Sequence, residues 1–263
     1  MKKRLPAALA AVLLLALAGC GGRESEEAAP AAAPAAQTAQ AEPDTAEQAP
    51  QEDAQQDPEA EPAQTDAAAQ PFAAMELEVR QGTLYIREGA EFSLARKDGK
   101  TAEYEIDSDT LVFVDDHTGD TVLTLPEGGS YGLLALKVKD GHVYGEAPLA
   151  LDELDLTMEH GEASLEAVTV RGRCRIDVEE GSAYVKGDVG PEAEALCSQG
   201  HLGLEVPFAK EDCNYTLEVS EGELRLGGEG YHGRAGSSTV DNGADRSMAL
   251  TCRRGELSVE FER

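Results

Sequence analysis

Apolar and polar residues alternate along much of the segment 71–263, and the alternation recurs around a glycine. The shared pattern is apolar-x-apolar-x-x-Gly-x-apolar-x-apolar, which predicts two short β-strands joined by a tight bend. Glycine suits such a bend because it adopts positive φ without steric cost. The copies are LEVRQGTLYI (77–86), LKVKDGHVYG (136–145), LTMEHGEASL (156–165), IDVEEGSAYV (176–185), ALCSQGHLGL (195–204), LEVSEGELRL (217–226) and LTCRRGELSV (250–259). The bend glycines are Gly82, Gly141, Gly161, Gly181, Gly200, Gly222 and Gly255.

The spacing of these glycines predicts how the copies assemble. Successive glycines are 59, 20, 20, 19, 22 and 33 residues apart. A single copy cannot bury its apolar side, whereas stacked copies bury it between them at about 4.8 Å per copy. We therefore predict an all-β fold, a right-handed β-solenoid similar to a single-stranded β-helix, with one coil of about 20 residues per repeat. Small Ala163 and Ala183, at the same inward position, suit close stacking. A β-sandwich of hairpins is the alternative.

The segment 71–135 is less regular than the repeats in 136–263, and we interpret it as an irregular β cap. Its runs LVFV (111–114) and TVLTL (121–125) alternate, and the turn DDHTGD between them predicts a β-hairpin. No convincing helix is expected in 71–263, apart from one short helical turn at most over 190–194.

The first 19 residues have the features of a lipoprotein signal peptide. Basic residues at 2–4 precede a short apolar run, which ends in Leu17-Ala18-Gly19-Cys20. This tetrapeptide resembles a bacterial lipobox, in which the cysteine thiol receives a diacylglyceryl group after cleavage. We therefore predict lipidation of Cys20 and attachment to the membrane through that lipid, since two acyl chains suffice for stable anchoring.

Residues 20–70, which follow the signal peptide, are predicted to be a disordered acidic tether. The segment is rich in Ala, Pro, Glu and Gln and has no Val, Leu, Ile or aromatic residue, so it cannot bury enough apolar surface to fold. Twelve acidic residues against Arg23 give it a net charge of −11. The whole chain has 51 acidic and 22 basic residues, a net charge of −29, which argues against nucleic acid as a partner because phosphate neutralisation needs clustered Lys and Arg.

Four cysteines lie in the repeat segment. Cys197 and Cys252 stand three residues before a bend glycine, at the position occupied by Val79 and Val138 in other copies. This position points inward, so small buried thiols explain them, while one or more disulfides is the open alternative for an exported chain. The absence of a CxxC motif argues against zinc or a thioredoxin-like site. The four are Cys174, Cys197, Cys213 and Cys252.

Histidines and carboxylates cluster around the bends, where stacked side chains would form one edge. Oxygen ligands in such a row suit Ca²⁺, but the glycine-aspartate repeat of calcium-binding β-rolls is absent. We therefore predict a solvated acidic edge, with no metal, cofactor or catalytic residue; motifs for nucleophilic catalysis and nucleotide binding are absent as well. The residues are His117, His142, His160, His201 and His232, with Glu159, Glu162, Glu179, Glu180, Glu221, Glu223 and Glu256.

The C-terminal repeats resemble a bacterial family of adhesin-like domains that consist of β-strand repeats and have no known function. The resemblance rests on Asn214-Tyr215-Thr216, on Gly227-Gly228-x-Gly230-Tyr231 and on Asp241-Asn242-Gly243-Ala244. Members are often membrane-anchored or lipoproteins. The resemblance implies a β-repeat envelope protein with an adhesive or stress-related role, and it implies no catalytic residue.

Together these features predict a lipid-anchored surface protein of the cell envelope that faces outward. Its β-repeat domain would have a non-catalytic, adhesin-like binding or structural role toward an envelope polymer or an envelope protein. Two alternatives remain: a carbohydrate-active enzyme on a β-helix, and a regulatory or sensory envelope-stress domain that acts through a membrane partner. Fold alone does not decide among them.

Overall fold

The computed structural model describes residues 71–232 and 236–262, and this part of the chain is all-β. The predicted signal peptide, Cys20 and the tether lie outside the described residues. Within those residues, no helix has the length and apolar character needed to cross a membrane. The strands are β1 Ala74–Val79, β2 Thr83–Gly89, β3 Ser93–Arg96, β4 Glu105–Asp107, β5 Thr110–Asp115, β6 Asp120–Pro126, β7 Ser130–Val138, β8 His142–Gly145, β9 Leu149–Met158, β10 Glu162–Val170, β11 Arg173–Val178, β12 Ser182–Asp188, β13 Glu192–Cys197, β14 His201–Val206, β15 Cys213–Val219, β16 Glu223–Leu226, β17 Glu229–His232, β18 Gly236–Val240, β19 Arg246–Cys252 and β20 Glu256–Phe261.

Each decapeptide copy forms two strands that flank its bend, as the alternation predicts. The two strands do not pair with each other across the bend; each pairs in parallel with the corresponding strand of another copy, and the result is a curled open sheet. The strands before the bends form a first ladder in the order β5, β1, β7, β9, β11, β13, β19, β15. The strands after the bends form a second ladder in the order β6, β2, β8, β10, β12, β14, β20, β16.

A short third ladder joins the ends of the longer strands. The start of β9 pairs in parallel with the end of β10, over 149–151 and 168–170. The start of β7 and the end of β12 extend this ladder on either side. The end of β10 therefore lies beside the start of β9, about one repeat earlier in the chain. A corner forms between the second and third ladders.

Antiparallel strands cover both ends of the two long ladders. At one end β4 pairs with β5 and β3 pairs with β6; at the other end β18 pairs with β15 and β17 pairs with β16. The spatial order departs from the chain order at both ends, because β5 lies outside β1 and β15 lies outside β19.

The hairpin predicted for 111–125 is wrong. In the described residues β5 pairs with β1 and β4, while β6 pairs with β2 and β3, so both edges of each strand are already occupied. The turn DDHTGD thus acts as another bend between the two ladders. The described residues contain no α-helix, as expected for 71–263. In 190–194, where the sequence allowed a short helical turn at most, β13 begins at Glu192, and a three-residue 3₁₀ helix lies at Lys210–Asp212.

The core lies along the inward positions of the ladders. Parallel pairing in register places equivalent apolar residues on top of one another, and Ala163 faces Ala183 as the pattern predicted. One inward column of the first ladder contains only buried side chains, each of which packs on its neighbours above and below. In spatial order it consists of Phe113, Leu77, Leu136, Leu156, Ile176, Ala195, Leu250 and Leu217.

Candidate functional site

The bend glycines form a column along the junction of the two long ladders. A methyl group on Gly161 would lie 2.0 Å from the carbonyl oxygen of Gly141, and one on Gly200 would lie 2.2 Å from that of Gly181. No side chain fits at such distances, so the column requires glycine because the backbones of neighbouring copies approach closely. We use the term glycine column for the seven bend glycines.

Histidines and carboxylates lie beside the glycine column, on the edge that the sequence analysis singled out. His160 Nε2 lies 3.2 Å from a carboxylate oxygen of Glu180, and His201 Nδ1 lies 3.4 Å from one of Glu256. These side chains are partly or largely exposed, and each pair joins two neighbouring copies of the repeat. Among the described residues, no group of three or more His, Cys, Asp or Glu side chains is arranged to hold a metal ion.

The four cysteines of the repeats are free thiols in the core. Cys197 and Cys252 are paired in register on β13 and β19, at the inward position that the sequence predicts. Burial raises the pKa of Cys197 to about 11 and that of Cys174 to about 12. Both thiols therefore stay protonated at neutral pH, which makes them small core side chains rather than nucleophiles.

Three tyrosines line up on the outward side of the second ladder. Tyr85, Tyr144 and Tyr184 each stand three residues after a bend glycine, between two inward residues, and each is partly exposed. In register, Tyr85 is next to Tyr144, Tyr144 to Ser164, Ser164 to Tyr184, and Tyr184 to Gly203. We call these five residues the tyrosine face. Since neighbouring strands are about 4.8 Å apart, Tyr144 and Tyr184 are separated by two strand spacings, roughly 10 Å.

The environment of the three rings differs along the row. The rings of Tyr85 and Tyr144 are stacked with centroids 5.7 Å apart, and Lys97 Nζ lies 4.1 Å from the centroid of Tyr85. Tyr85 is thus covered on one side by a ring and also contacts a cation. The Tyr184 ring instead lies against Gly203, where a Cβ would be 3.2 Å from Tyr184 Cδ2. The Tyr184 ring thus occupies the space over Gly203, and the small Ser164 leaves a gap between Tyr144 and Tyr184.

The hydroxyl groups of these two tyrosines are held by carboxylates of the next strand. Tyr144 Oη donates to Glu162 Oε2 at 3.1 Å, and Tyr184 Oη donates to Glu205 Oε2. The other carboxylate oxygen of Glu205 accepts from Lys186. Burial, together with the bond to Glu205, raises the pKa of Tyr184 to about 12. Burial and Glu162 raise the pKa of Tyr144 as well. Both hydroxyls therefore remain protonated, and both rings have a fixed direction.

A groove of about 400 Å³ adjoins the tyrosine face at the corner between the second and third ladders. Glu205 and Lys186 belong both to the groove and to the hydrogen-bonded group at Tyr184. The lining also contains small residues, among them Gly128 and Ala150. We call this cavity the Lys186 groove; its lining includes Gly128, Ala150, Glu166, Ala167, Lys186 and Glu205.

The tyrosine face with the Lys186 groove is the candidate site, and the sequence analysis missed it. Its signal in the sequence is the tyrosine at the same place in three copies, GTLYI, GHVYG and GSAYV. The column of equivalent positions becomes a surface only when the copies stack in register. The groove has no comparable signal, because residues from four separate strands and from several segments outside the strands contribute to it.

Comparisons with known proteins assign no family to this chain. No known protein family matches it, and no curated protein is detectably similar to it. Among solved structures, it is similar to a "putative cell adhesion protein" from Clostridium sporogenes, with 10% sequence identity and a TM-score of 0.37. That match covers 73% of this chain and 94% of the other. A likeness at this level carries no functional argument.

Proposed function

We propose that this chain is a lipid-anchored, outward-facing protein of the cell envelope, whose non-catalytic β-repeat domain binds an envelope component through the tyrosine face and the Lys186 groove. The observation that carries this proposal is the alignment of Tyr144 and Tyr184 on one outward surface beside a groove. Partly exposed tyrosines with fixed rings are typical of binding surfaces, because they supply contact area at a low cost in conformational entropy.

The domain that presents this surface is proposed to be a β-solenoid. The support is the parallel pairing of equivalent strands, the continuous glycine column and the short third ladder in which the chain meets its own previous coil. A sandwich of hairpins would instead need antiparallel pairing between the two strands of each copy. A stack held at three sides is rigid, which suits a surface that must keep its side chains aligned.

The anchor is proposed to be the lipid on Cys20, followed by the acidic tether. A flexible tether of about 50 residues would have an r.m.s. reach of roughly 40 Å, and proline and charge would extend it further. This length would hold the tyrosine face away from the membrane, within reach of a polymer or protein of the envelope.

Binding is favoured over catalysis by the state of the carboxylates at the site. Bonds from Lys186 and Tyr184 lower the pKa of Glu205, so this carboxylate is ionised at neutral pH. A glycosidase needs an ionised carboxylate together with a carboxylic acid whose pKa is raised so that it protonates the leaving group, and Glu205 fits only the first of these roles. The carbohydrate-active enzyme is therefore less well supported than a binding role.

The proposal is tested by the retention of the purified full chain on isolated envelope fractions of its host. We expect retention by the wild type, a strong loss for the double variant Tyr144→Ala, Tyr184→Ala, and wild-type retention for Tyr104→Ala. Tyr104 is the matched control because it is exposed but lies at the end of the first ladder. Failure of the wild type to bind any fraction would overturn the binding function.

The anchor has a separate test. Cells fed an alkyne fatty acid should label the wild type and leave Cys20→Ser unlabelled. Labelling that persists in the variant would remove the lipid anchor while leaving the binding function in place.

A further inference from the structure

We infer that the ligand of the tyrosine face and the Lys186 groove is an uncharged linear glycan, which lies along the stack and crosses successive strands. This inference rests on the proposed binding function and adds the chemical class of the ligand. Three features of the surface support it: the spacing of the rings, the pairing of the cations beside them and the absence of a free backbone edge.

The spacing of the rings fits an extended glycan. Tyr144 and Tyr184 lie two strands apart, roughly 10 Å, with the small Ser164 between them. One strand spacing is close to the length of one pyranose residue in an extended chain, so two sugars that face the same way can contact the two rings. The C–H groups of a pyranose pack on an aromatic ring, and rings held by Glu162 and Glu205 need no reordering to receive them.

The cations beside the site favour hydroxyl groups over anions, because they are already paired. Arg87 has its guanidinium carbon 5.1 Å from the centroid of the Tyr85 ring and its Nε 3.1 Å from a carboxylate oxygen of Glu146. Lys186 is bonded to Glu205. An anionic ligand would have to displace these carboxylates, whereas sugar hydroxyls can accept from the cations and donate to the carboxylates without breaking the pairs. A polyanion is further disfavoured by the acidic character of the chain, whose net charge is −29.

The groove supplies polar groups next to the rings. Ser164 Oγ lies 3.4 Å from Glu166 Oε1, so a hydroxyl and a carboxylate stand together between the two tyrosines. The groove lining next to them includes Ala150 and Ala167, whose side chains are small. A glycan that contacts the two rings therefore also reaches donors and acceptors at the groove, which is how sugar sites combine apolar contact with hydrogen bonds.

A protein strand is a poorer fit to this surface. Strand addition requires an edge whose backbone N–H and C=O groups are free. Each of β8, β10, β12 and β14 is paired on both sides at the tyrosine face, so the surface offers side chains only. A flat row of side chains suits a polymer that is recognised by stacking and by hydroxyl groups.

The test is calorimetric titration of the purified full chain with length series of two neutral β-1,4-linked glycans, cello-oligosaccharides and chito-oligosaccharides. Oligogalacturonate and oligolysine are the anionic and cationic comparisons. We expect affinity for at least one neutral series that rises until the oligomer spans both rings, with little or none for the charged oligomers. Tyr144→Ala and Tyr184→Ala should each weaken binding about tenfold.

Control variants distinguish the loss of a ring contact from a failure to fold. Tyr144→Phe and Tyr184→Phe keep the rings and should bind within about threefold of the wild type, since they lose only an orienting hydrogen bond. Tyr104→Ala should bind normally. Ala167→Trp leaves both tyrosines in place and fills the exposed groove, so it should weaken binding even if an alanine variant of a tyrosine fails to fold.

The outcomes distinguish this inference from the proposed function. Retention on envelope fractions without affinity for either neutral series, or tighter binding of oligolysine or oligogalacturonate, would overturn the glycan inference while the binding function stands. Equal affinity of wild type and tyrosine variants would overturn the inference as well. Loss of retention after glycan-hydrolysing treatment of the fractions would support it.

Discussion

The glycine column and the tyrosine face occupy positions three residues apart in the same repeat, yet they differ in how strictly the residue is determined. At six of the seven bend glycines, a carbonyl oxygen of the neighbouring bend lies 2.0–2.6 Å from where a Cβ would be. At Gly141 the nearest atom is Val79 Cγ1, at 2.5 Å. The outward position of the tyrosine face holds Tyr, Ser or Gly, because only solvent and the two flanking side chains limit it. The first position supports the stack, and the second is free to serve binding.

The largest effect is expected at the glycine column. Gly200→Ala places a methyl group 2.2 Å from the carbonyl oxygen of Gly181, although the φ of Gly200 is not in the left-handed region. We expect a loss of about 3 kcal/mol in the free energy of unfolding, measured by chemical denaturation of the full chain.

Gly99→Ala is the matched control for that variant. Gly99 has a φ of +84° but nothing within 4 Å of an added Cβ, so only backbone strain of about 1 kcal/mol is expected. Equal costs at the two positions would show that the approach of the neighbouring copy adds nothing to the cost of a side chain at Gly200.

The second largest effect is expected at Asp188, in the wall of the Lys186 groove. Burial would raise the pKa of this carboxyl, but bonds from Arg246 and from the Gly190 N–H outweigh burial and lower it. The stabilisation is therefore present above the unfolded pKa of about 4 and is lost as the pH falls through the lower folded pKa. We expect Asp188→Asn to lose about 1.5 kcal/mol at neutral pH and to show a weaker acid dependence, as measured by denaturation at several pH values.

Glu153→Gln provides the comparison for this prediction. Glu153 pairs with Arg173 on the exposed surface, where solvent screens the interaction, so its removal should leave stability unchanged. A loss as large as that of Asp188→Asn would contradict the distinction between the groove wall and the open surface.

A smaller effect on stability is expected on the tyrosine face itself. Tyr184→Ala removes a contact between a ring and Gly203 on the neighbouring strand, a cross-strand pair worth at most about 1 kcal/mol. Denaturation of this variant beside Gly200→Ala compares the two positions directly. If Tyr184→Ala were the more damaging variant, the ring would have a structural role, and its effect on binding would no longer indicate a site.

The smallest effect concerns the core thiols, which contribute as apolar side chains. Because burial raises the pKa of Cys197 to about 11, a thiol reagent should label none of the four repeat cysteines at neutral pH until the chain unfolds. Mass spectrometry of the labelled protein measures this, with the unfolded protein as the positive control. Fewer than four labels on the unfolded protein without reductant would indicate a disulfide.

Local structure was predictable where one copy contains all the information. Alternation around Gly82 and Gly161 predicts the flanking strands and their inward residues, since period two and the bend depend only on neighbours in the chain. The inward position of Cys197 follows from the same pattern.

The sequence did not predict which strands pair with each other. The runs at 111–114 and 121–125 have the alternation of a hairpin, yet each pairs with strands of the preceding copy, because alternation specifies a face and leaves the partner open. The insertion of the copy at 250–259 between those at 195–204 and 217–226 has a similar cause. Copies with nearly the same inward residues can pair in several orders, and the longer connection from 227 to 246 allows the exchange.

The sequence by itself determined the all-β class, the short strands, the glycine at each bend and the side of each strand that faces the core, because these depend on steric and hydrophobic preferences within a few residues. Only the tertiary structure decided the order of the copies and the neighbours of each outward side chain. The tyrosine face and the Lys186 groove belong to this second group, since parallel pairing in register brings together residues that are as far apart in the chain as Tyr85 and Gly203.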